Sequence, residues 1–183
     1  MREEFYETSV GPERERQEKM LYSVLTVFFA ILVIAFVITL CIWSFTGDTG
    51  FVVIMAMTVI FGVVTSLFKR RLYLFYDYTY ISGEVRIIKV LNGKTRRRVA
   101  VFDVKDVFQL GKVGSNSFNE VCSKREIKKI IATPNGINAT NQLYYIYVNI
   151  DGNQSVIILE CDEKLLSYIV STRGKSIIER DYK

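Results

Sequence analysis

The chain holds 183 residues, half of them hydrophobic, with 24 Lys and Arg against 19 Asp and Glu and a net charge of +5. It has no histidine, which removes the commonest general base and the commonest metal ligand together. Its three cysteines, Cys41, Cys122 and Cys161, are too few and too dispersed for a disulfide framework or a CxxC metal site, so no metal or cofactor is expected and a reducing compartment fits.

Charge is distributed in three blocks. Met1 to Lys19 is polar, with 4 basic and 6 acidic residues. Pro12 suits a first helical position, and Glu15 and Lys19 stand four apart in the favourable order, so a short helix preceded by a frayed tail is expected to run into the next block. That block, Met20 to Phe68, is charged only at Asp48. Met20 to Phe45 gives 26 uncharged residues and Phe51 to Phe68 another 18, against the roughly 20 that cross a hydrocarbon core about 30 Å thick. The first run contains 16 Leu, Ile, Val and Phe, which favour insertion by about 5 to 10 kcal/mol in total. Two membrane-crossing helices joined at Thr46-Gly47-Asp48-Thr49-Gly50 follow. The acidic lead-in and the length of the first run argue for an anchor rather than a cleaved signal.

Arg14, Arg16 and Lys19 precede the pair and Lys69, Arg70 and Arg71 follow it, while the turn has no Lys or Arg. Both termini are therefore expected in the cytoplasm, at the cell membrane. The sequon Asn138-Ala139-Thr140 would then lie on the wrong side for glycosylation. Trp43 and Phe45 at one boundary, and Tyr73 and Tyr76 at the other, fit aromatic belts. In the second span Thr58, Gly62 and Ser66 recur every four residues, a stripe for close helix packing, either against Thr26 and Ala30 of the first span or in a homodimer.

From Lys69 to Lys183 the chain carries 20 basic and 12 acidic residues, enough chain for one small domain. Strand-like runs follow at Leu72 to Ile81, Glu84 to Leu91, Thr95 to Phe102 and Val107 to Gly111, with Ser82-Gly83 and Asn92-Gly93 as hairpin turns and Asp103 to Asp106 as a bend. Gly114 to Asn119 reads as a loop, with a helical turn through Glu120 to Lys124. Ile127 to Ala132, Leu143 to Ile150 and Gln154 to Glu160 are further strands, turned by Pro134-Asn135-Gly136 and Asp151-Gly152-Asn153. Alternation in Leu143 to Ile150 predicts one face more deeply buried than the other. Asp162 caps a helix to Arg173 that presents Leu165, Leu166, Ile169 and Val170 on one side and stops at Gly174.

Seven short strands in four-plus-three order followed by one amphipathic helix resemble pleckstrin-homology-like domains. Tyr76 to Ile87 and Phe102 to Val107 are similar to an uncharacterised family of small two-pass membrane proteins of Gram-positive bacteria. The resemblance implies an α+β domain over 69–183, an antiparallel seven-stranded sandwich or barrel closed by its C-terminal helix, beside the hairpin (20–68) and a polar N-terminal segment (1–19). It implies no activity. Phosphoinositide-binding members of the pleckstrin-homology group use basic residues around a longer first hairpin loop, whereas this loop is Ser82-Gly83 beside Glu84.

The densest charge is Lys94-Thr95-Arg96-Arg97-Arg98. In a regular strand Lys94, Arg96 and Arg98 share a face while Arg97 points with Val99 and Val101 to the other, so the first three form a candidate contact for anionic lipid or a partner. The competing reading is a solvated hairpin that keeps an edge soluble. Lys124, Arg125, Lys128 and Lys129, with Glu126 among them, form a second basic cluster that fits a solvated loop, the alternative being a protein contact. Asp103 and Asp106 fit bend chemistry, Asp162 and Glu163 a helix first turn, and Gly111-Lys112-Val113-Gly114 lacks the spacing of a phosphate cradle. No catalytic residues emerge, and no nucleic-acid motif accompanies the charge. The expectation is a non-enzymatic membrane-anchored binding or scaffold module with an unknown protein or lipid partner. The alternative is an accessory subunit of a larger membrane assembly or transporter that works through its hairpin.

Overall fold

The computed structural model describes residues 4–93, 95–124 and 127–179, the side chains of Arg71 and Asn138 excepted. The chain divides into two units, one of Arg14–Tyr73 and one combining Met1–Glu13 with Leu74–Lys183. The first is a helical hairpin of α1 (Glu15–Thr46) and α2 (Gly50–Arg71). Gly47 ends α1 in the left-handed region (φ 67°), its N–H donating to the Trp43 carbonyl at 2.8 Å. Asp48 then accepts from the Gly50 N–H at 2.9 Å and starts α2.

Both helices are long and apolar enough to cross a membrane, with mean hydropathies of 3.1 and 2.5. Their Leu, Ile, Val and Phe side chains are largely exposed, so the unit has almost no interior of its own. Its hydroxyls are handled as a hydrocarbon surrounding demands. Thr26, Thr39, Thr46, Thr58 and Thr65 each donate to a carbonyl three or four residues earlier, at 2.7 to 2.9 Å. Lys69 lies 4.7 Å from the centre of the Tyr22 ring, where a charge and an aromatic mark the end of the apolar stretch.

The second unit is two four-stranded sheets. In the first, β1 (Phe5–Val10), β2 (Leu74–Ile81), β3 (Glu84–Leu91) and β4 (Thr95–Asp103) lie in sequence order, all antiparallel. In the second, β5 (Val107–Lys112), β6 (Lys128–Ala132), β7 (Tyr144–Ile150) and β8 (Asn153–Leu159) run in the order β5-β7-β8-β6. Among the described residues the unit therefore has eight strands in four-plus-four order, where seven in four-plus-three order were expected.

The extra strand is β1. Phe5–Val10, expected to be a frayed tail, pairs over six residues with β2, from Phe5 opposite Ile81 to Val10 opposite Tyr76. Pro12 does not open a helix, since α1 begins at Glu15. Nor is the second sheet wholly antiparallel. With β5 occupying one side of β7, β6 takes the free side of β8, and two chain reversals leave it parallel to that strand.

Between the sheets lies the main core, in which β2 contributes Tyr76, Tyr78 and Tyr80 from one face. Period-2 spacing aligns them and their hydroxyls tie β2 to three different carbonyl or hydroxyl groups. Tyr76 donates to the Ile131 carbonyl at 3.4 Å, Tyr78 donates to the Ala132 carbonyl at 2.5 Å, and Tyr80 meets the Thr172 hydroxyl at 2.5 Å. Tyr76 therefore belongs to the domain core and not to an aromatic belt, because its ring faces the second sheet. The C-terminal helix α4 (Glu163–Arg173) is capped by Asp162, whose carboxylate accepts from the Leu165 N–H at 3.4 Å. It buries Leu165, Leu166 and Ile169, and its Tyr168 ring stacks against both Tyr80 and Tyr6 with centroids 5.3 and 5.4 Å apart.

A second cluster covers the other face of β7. Residues 116–123, expected to be loop and one helical turn, form α3 (Asn116–Ser123), whose first turn is capped by the Ser115 hydroxyl accepting from the Phe118 N–H at 3.1 Å. Phe118 and Val121 pack on Tyr145, Tyr147, Val156 and Ile158. Both faces of β7 are consequently buried, and the expected asymmetry of Leu143 to Ile150 is absent.

Near the C-terminus, Glu179 accepts from the Lys112 N–H at 2.6 Å, the Ser115 hydroxyl at 2.6 Å and the Tyr145 hydroxyl at 3.1 Å. Gly111 makes room for it, since a Cβ there would stand 2.0 Å from the Glu179 carboxyl carbon.

If β1 belongs to the sheet-rich unit as its register states, joining Pro12 to Leu74 through a flexible Gly/Ser linker of about six residues removes the helices but keeps the fold. The expected product is a soluble monomer with a cooperative thermal transition and β-rich circular dichroism; a chain that aggregates or lacks the transition contradicts the pairing. Burial raises the pKa of Tyr78 and, with Glu179 nearby, that of Tyr145. A raised pKa favours the protonated folded state, so this stability is present below about pH 10 and is lost as pH climbs above it. In an alkaline titration of that same domain, tyrosinate absorbance from the two buried rings should appear only together with loss of the folded circular dichroism.

Candidate functional site

The outer face of the first sheet carries the charge. On β4, Arg96 and Arg98 face outward with Val101, and with Glu84, Arg86 and Ile88 of β3 they line a groove of about 540 Å³. Val101 joins them because β4 is not regular. Ile87 lies opposite Ala100 and Ile88 opposite Arg98, leaving Val99 as an extra residue in a β-bulge. The bulge reverses the alternation beyond it, which corrects the expectation that Arg97, Val99 and Val101 share a face. Ala100 and Phe102 turn inward to the core instead. Lys94 lies outside the described residues, as do Arg125 and Glu126 of the second basic cluster. In that cluster Lys128 and Lys129 are exposed on edge strand β6, and Lys124 stands 5.7 Å from the centre of the Tyr147 ring.

The basic residues are pinned to one end of the sheet by register. Leu74 pairs with Leu91 and Leu91 with Thr95, so the Asn92-Gly93 hairpin lies at the end where the chain leaves β1 and re-enters at β2. Asn92 and Gly93 both have positive φ (55° and 66°), the geometry of a tight two-residue turn. Lys89, opposite Arg97, sits 5.9 Å from the centre of the Tyr76 ring. The one acid among the described residues at these register positions is Asp77, 3.9 Å from Arg96 and accepting a 2.7 Å hydrogen bond from Ser9. At the opposite end Glu84 pairs directly with Asp103, and Asp106 follows in the next turn. Arg86 and Lys105 lie at that end too, ion-paired with Glu84 and Asp103, so the excess positive charge of the sheet gathers at the Arg96–Arg98 end.

Thr58, Gly62 and Ser66 sit within the helical hairpin. Their stripe lines a furrow of about 350 Å³ together with Phe29, Leu32, Val33 and Phe36 of α1, and Gly62 lets the Phe29 ring approach to 3.8 Å of where a Cβ would stand.

One polar centre escaped the sequence reading. Glu160, 4% exposed, accepts from Thr133 Oγ1 at 2.8 Å, Asn135 Nδ2 at 2.9 Å and Asn141 Nδ2 at 2.6 Å. Asn135 in turn accepts from the Glu13 N–H at 2.8 Å, tying the end of the N-terminal segment to the β6–β7 connection. A single Glu after an apolar strand carries no local signal of such partners. All three donors are satisfied, so the cluster is a structural fastening. Beside it, burial pushes the Cys161 thiol well above its ordinary pKa, which keeps it protonated and a poor nucleophile.

With these elements placed, the comparison with known families is decisive. A family model described as a bacterial PH-like domain (DUF6106) matches residues 2–179. The chain belongs to this family. No curated protein and no solved structure matches it. The match to the bacterial PH-like family runs through β1, both apolar helices, both sheets and α4, which fits the structural finding that the N-terminal strand is part of the domain.

Replacing Glu160 by Ala strands donors from Thr133, Asn135 and Asn141 and should lower the stability of the linked soluble domain by about 2 to 4 kcal/mol, read from urea unfolding. Glu160→Gln, which keeps one acceptor oxygen, should cost less than half as much.

Proposed function

We propose that the protein is a non-enzymatic, membrane-anchored binding module that presents its PH-like domain on the cytoplasmic face of the cell membrane. The observation that carries this reading is the insertion of the apolar helices between two strands paired residue by residue. Val10 and Tyr76 are partners, yet the whole hairpin lies between them in the chain. A domain spliced in this way is tethered by two strands, which suits a fixed platform. The basic residues at the open ends of the helices and their absence from the 46–50 turn support a cytoplasmic domain. Among the described residues, edge strands β1, β4 and β6 offer an open sheet edge for an extended peptide of a protein partner. A second reading, a subunit of a larger assembly working through its helices, draws on the furrow beside Thr58, Gly62 and Ser66, which a helix from another chain could fill.

In a cysteine-free background, Asp48→Cys should react with an impermeant maleimide on intact cells and Lys105→Cys only after lysis; the reverse pattern overturns the orientation. The two readings separate by photocrosslinking in native membranes. A photoreactive residue at Phe108, exposed on β5, should give a defined protein adduct while one at Ile34, mid-helix, gives none. Adducts at Ile34 alone would favour the assembly.

A further inference from the structure

We propose that the arginine-bearing end of the first sheet docks on the anionic headgroups of the same leaflet that its own helices enter. This rests on the anchored reading above and adds a partner to it. The reason is covalent reach combined with register. Three helical residues (69–71) and three more to Leu74 separate the apolar run of α2 from β2. At about 1.5 Å per helical residue and up to about 3.5 Å per extended one, Leu74 stands no further than roughly 15 Å from the hydrocarbon boundary. Leu74, Leu91 and Thr95 are consecutive neighbours across β2, β3 and β4, so that limit carries over to the hairpin beside them with one strand spacing of about 4.8 Å added for each step.

The headgroup layer occupies roughly 5 to 7 Å beyond the hydrocarbon, and its potential persists for about 8 Å more at physiological salt. Arg96, Arg97 and Arg98 are exposed at this end, and among the described residues only Arg96 has an acidic neighbour, Asp77, 3.9 Å away with the Arg96 side chain 70% exposed. Glu84 and Asp103 sit at the far end, seven residues along β3 from Leu91, or about 23 Å. The tether thus holds Thr95 within about 25 Å of the hydrocarbon, close enough to let the arginines meet the headgroups. A leaflet that meets them there is screened from Glu84 and Asp103, because about 23 Å exceeds the screening distance more than twofold. The sheet is polarised in the direction that an anionic surface rewards. A zwitterionic surface would offer the arginines nothing comparable.

The test uses the full chain, free of native cysteines, reconstituted in vesicles that carry a headgroup-attached quencher. A fluorophore on Thr95→Cys reports the basic end and one on Lys105→Cys the far end. In vesicles containing phosphatidylglycerol the Thr95 probe should be quenched and the Lys105 probe not, and high salt or all-phosphatidylcholine vesicles should release it. Arg96→Gln and Arg98→Gln, both at exposed positions where folding is little affected, should each lower the docked-to-free ratio roughly fivefold. Equal quenching in neutral and anionic vesicles, indifference to the two substitutions, or stronger quenching of the Lys105 probe would overturn the proposal. Carbonate extraction separates the failures. Protein that stays in the vesicles with an unquenched Thr95 probe sinks the docking alone, whereas protein released by carbonate sinks the anchored reading and the docking with it.

Discussion

Everything in this molecule depends on the pairing of β1 with β2. The two strands are partners over six residues while the chain between them makes two apolar helices. A hairpin normally closes through a few residues, because the entropy of closing a loop rises with its length. Here the helices fix the path of most of the intervening residues, so the closure is made by two ordered elements rather than by a floppy connection. The cost is further offset inside the domain, where Tyr6 and Val10 of β1 pack against the main core. Glu13 and Asn135 then fasten the strand's exit.

Polar groups give the core its specificity. An apolar interior of Ile, Val and Leu would hold two sheets together in several registers. Tyr76 and Tyr78, with hydroxyls on consecutive carbonyls of β6, select one of them, because a slipped register would leave those hydroxyls buried without acceptors. Glu160 and Glu179 act similarly at two other places, each carboxylate collecting three donors from segments far apart in sequence. A buried carboxylate with one donor missing would be expensive, so each network holds as a set.

The surface is organised by the same register. A single residue inserted in β4, Val99, leaves Arg98 and Val101 on one face and lets Ala100 and Phe102 enter the core. The bulge reconciles a basic, solvent-facing strand end with an apolar, buried one. Charge and hydrophobicity therefore change over within a single strand without a break in pairing on either side.

Local physics decided much of this protein. Uncharged runs of 26 and 18 residues determined the two helices, because a single segment in hydrocarbon satisfies its own backbone groups only as a helix. Turn chemistry determined the hairpins at Ser82-Gly83, Asn92-Gly93 and Asp151-Gly152, and a cap with a terminal Gly determined α4. The tertiary structure alone decided that Phe5–Val10 is a strand, since its six residues have no apolar run to announce them and become a strand only by finding the free edge of β2. It alone decided that β6 runs parallel to β8, that α3 covers the second face of β7, and that Tyr76 turns to the core. Each depends on which surfaces remain open once neighbouring elements are in place, and such long-range competition leaves no mark on the spacing of nearby residues.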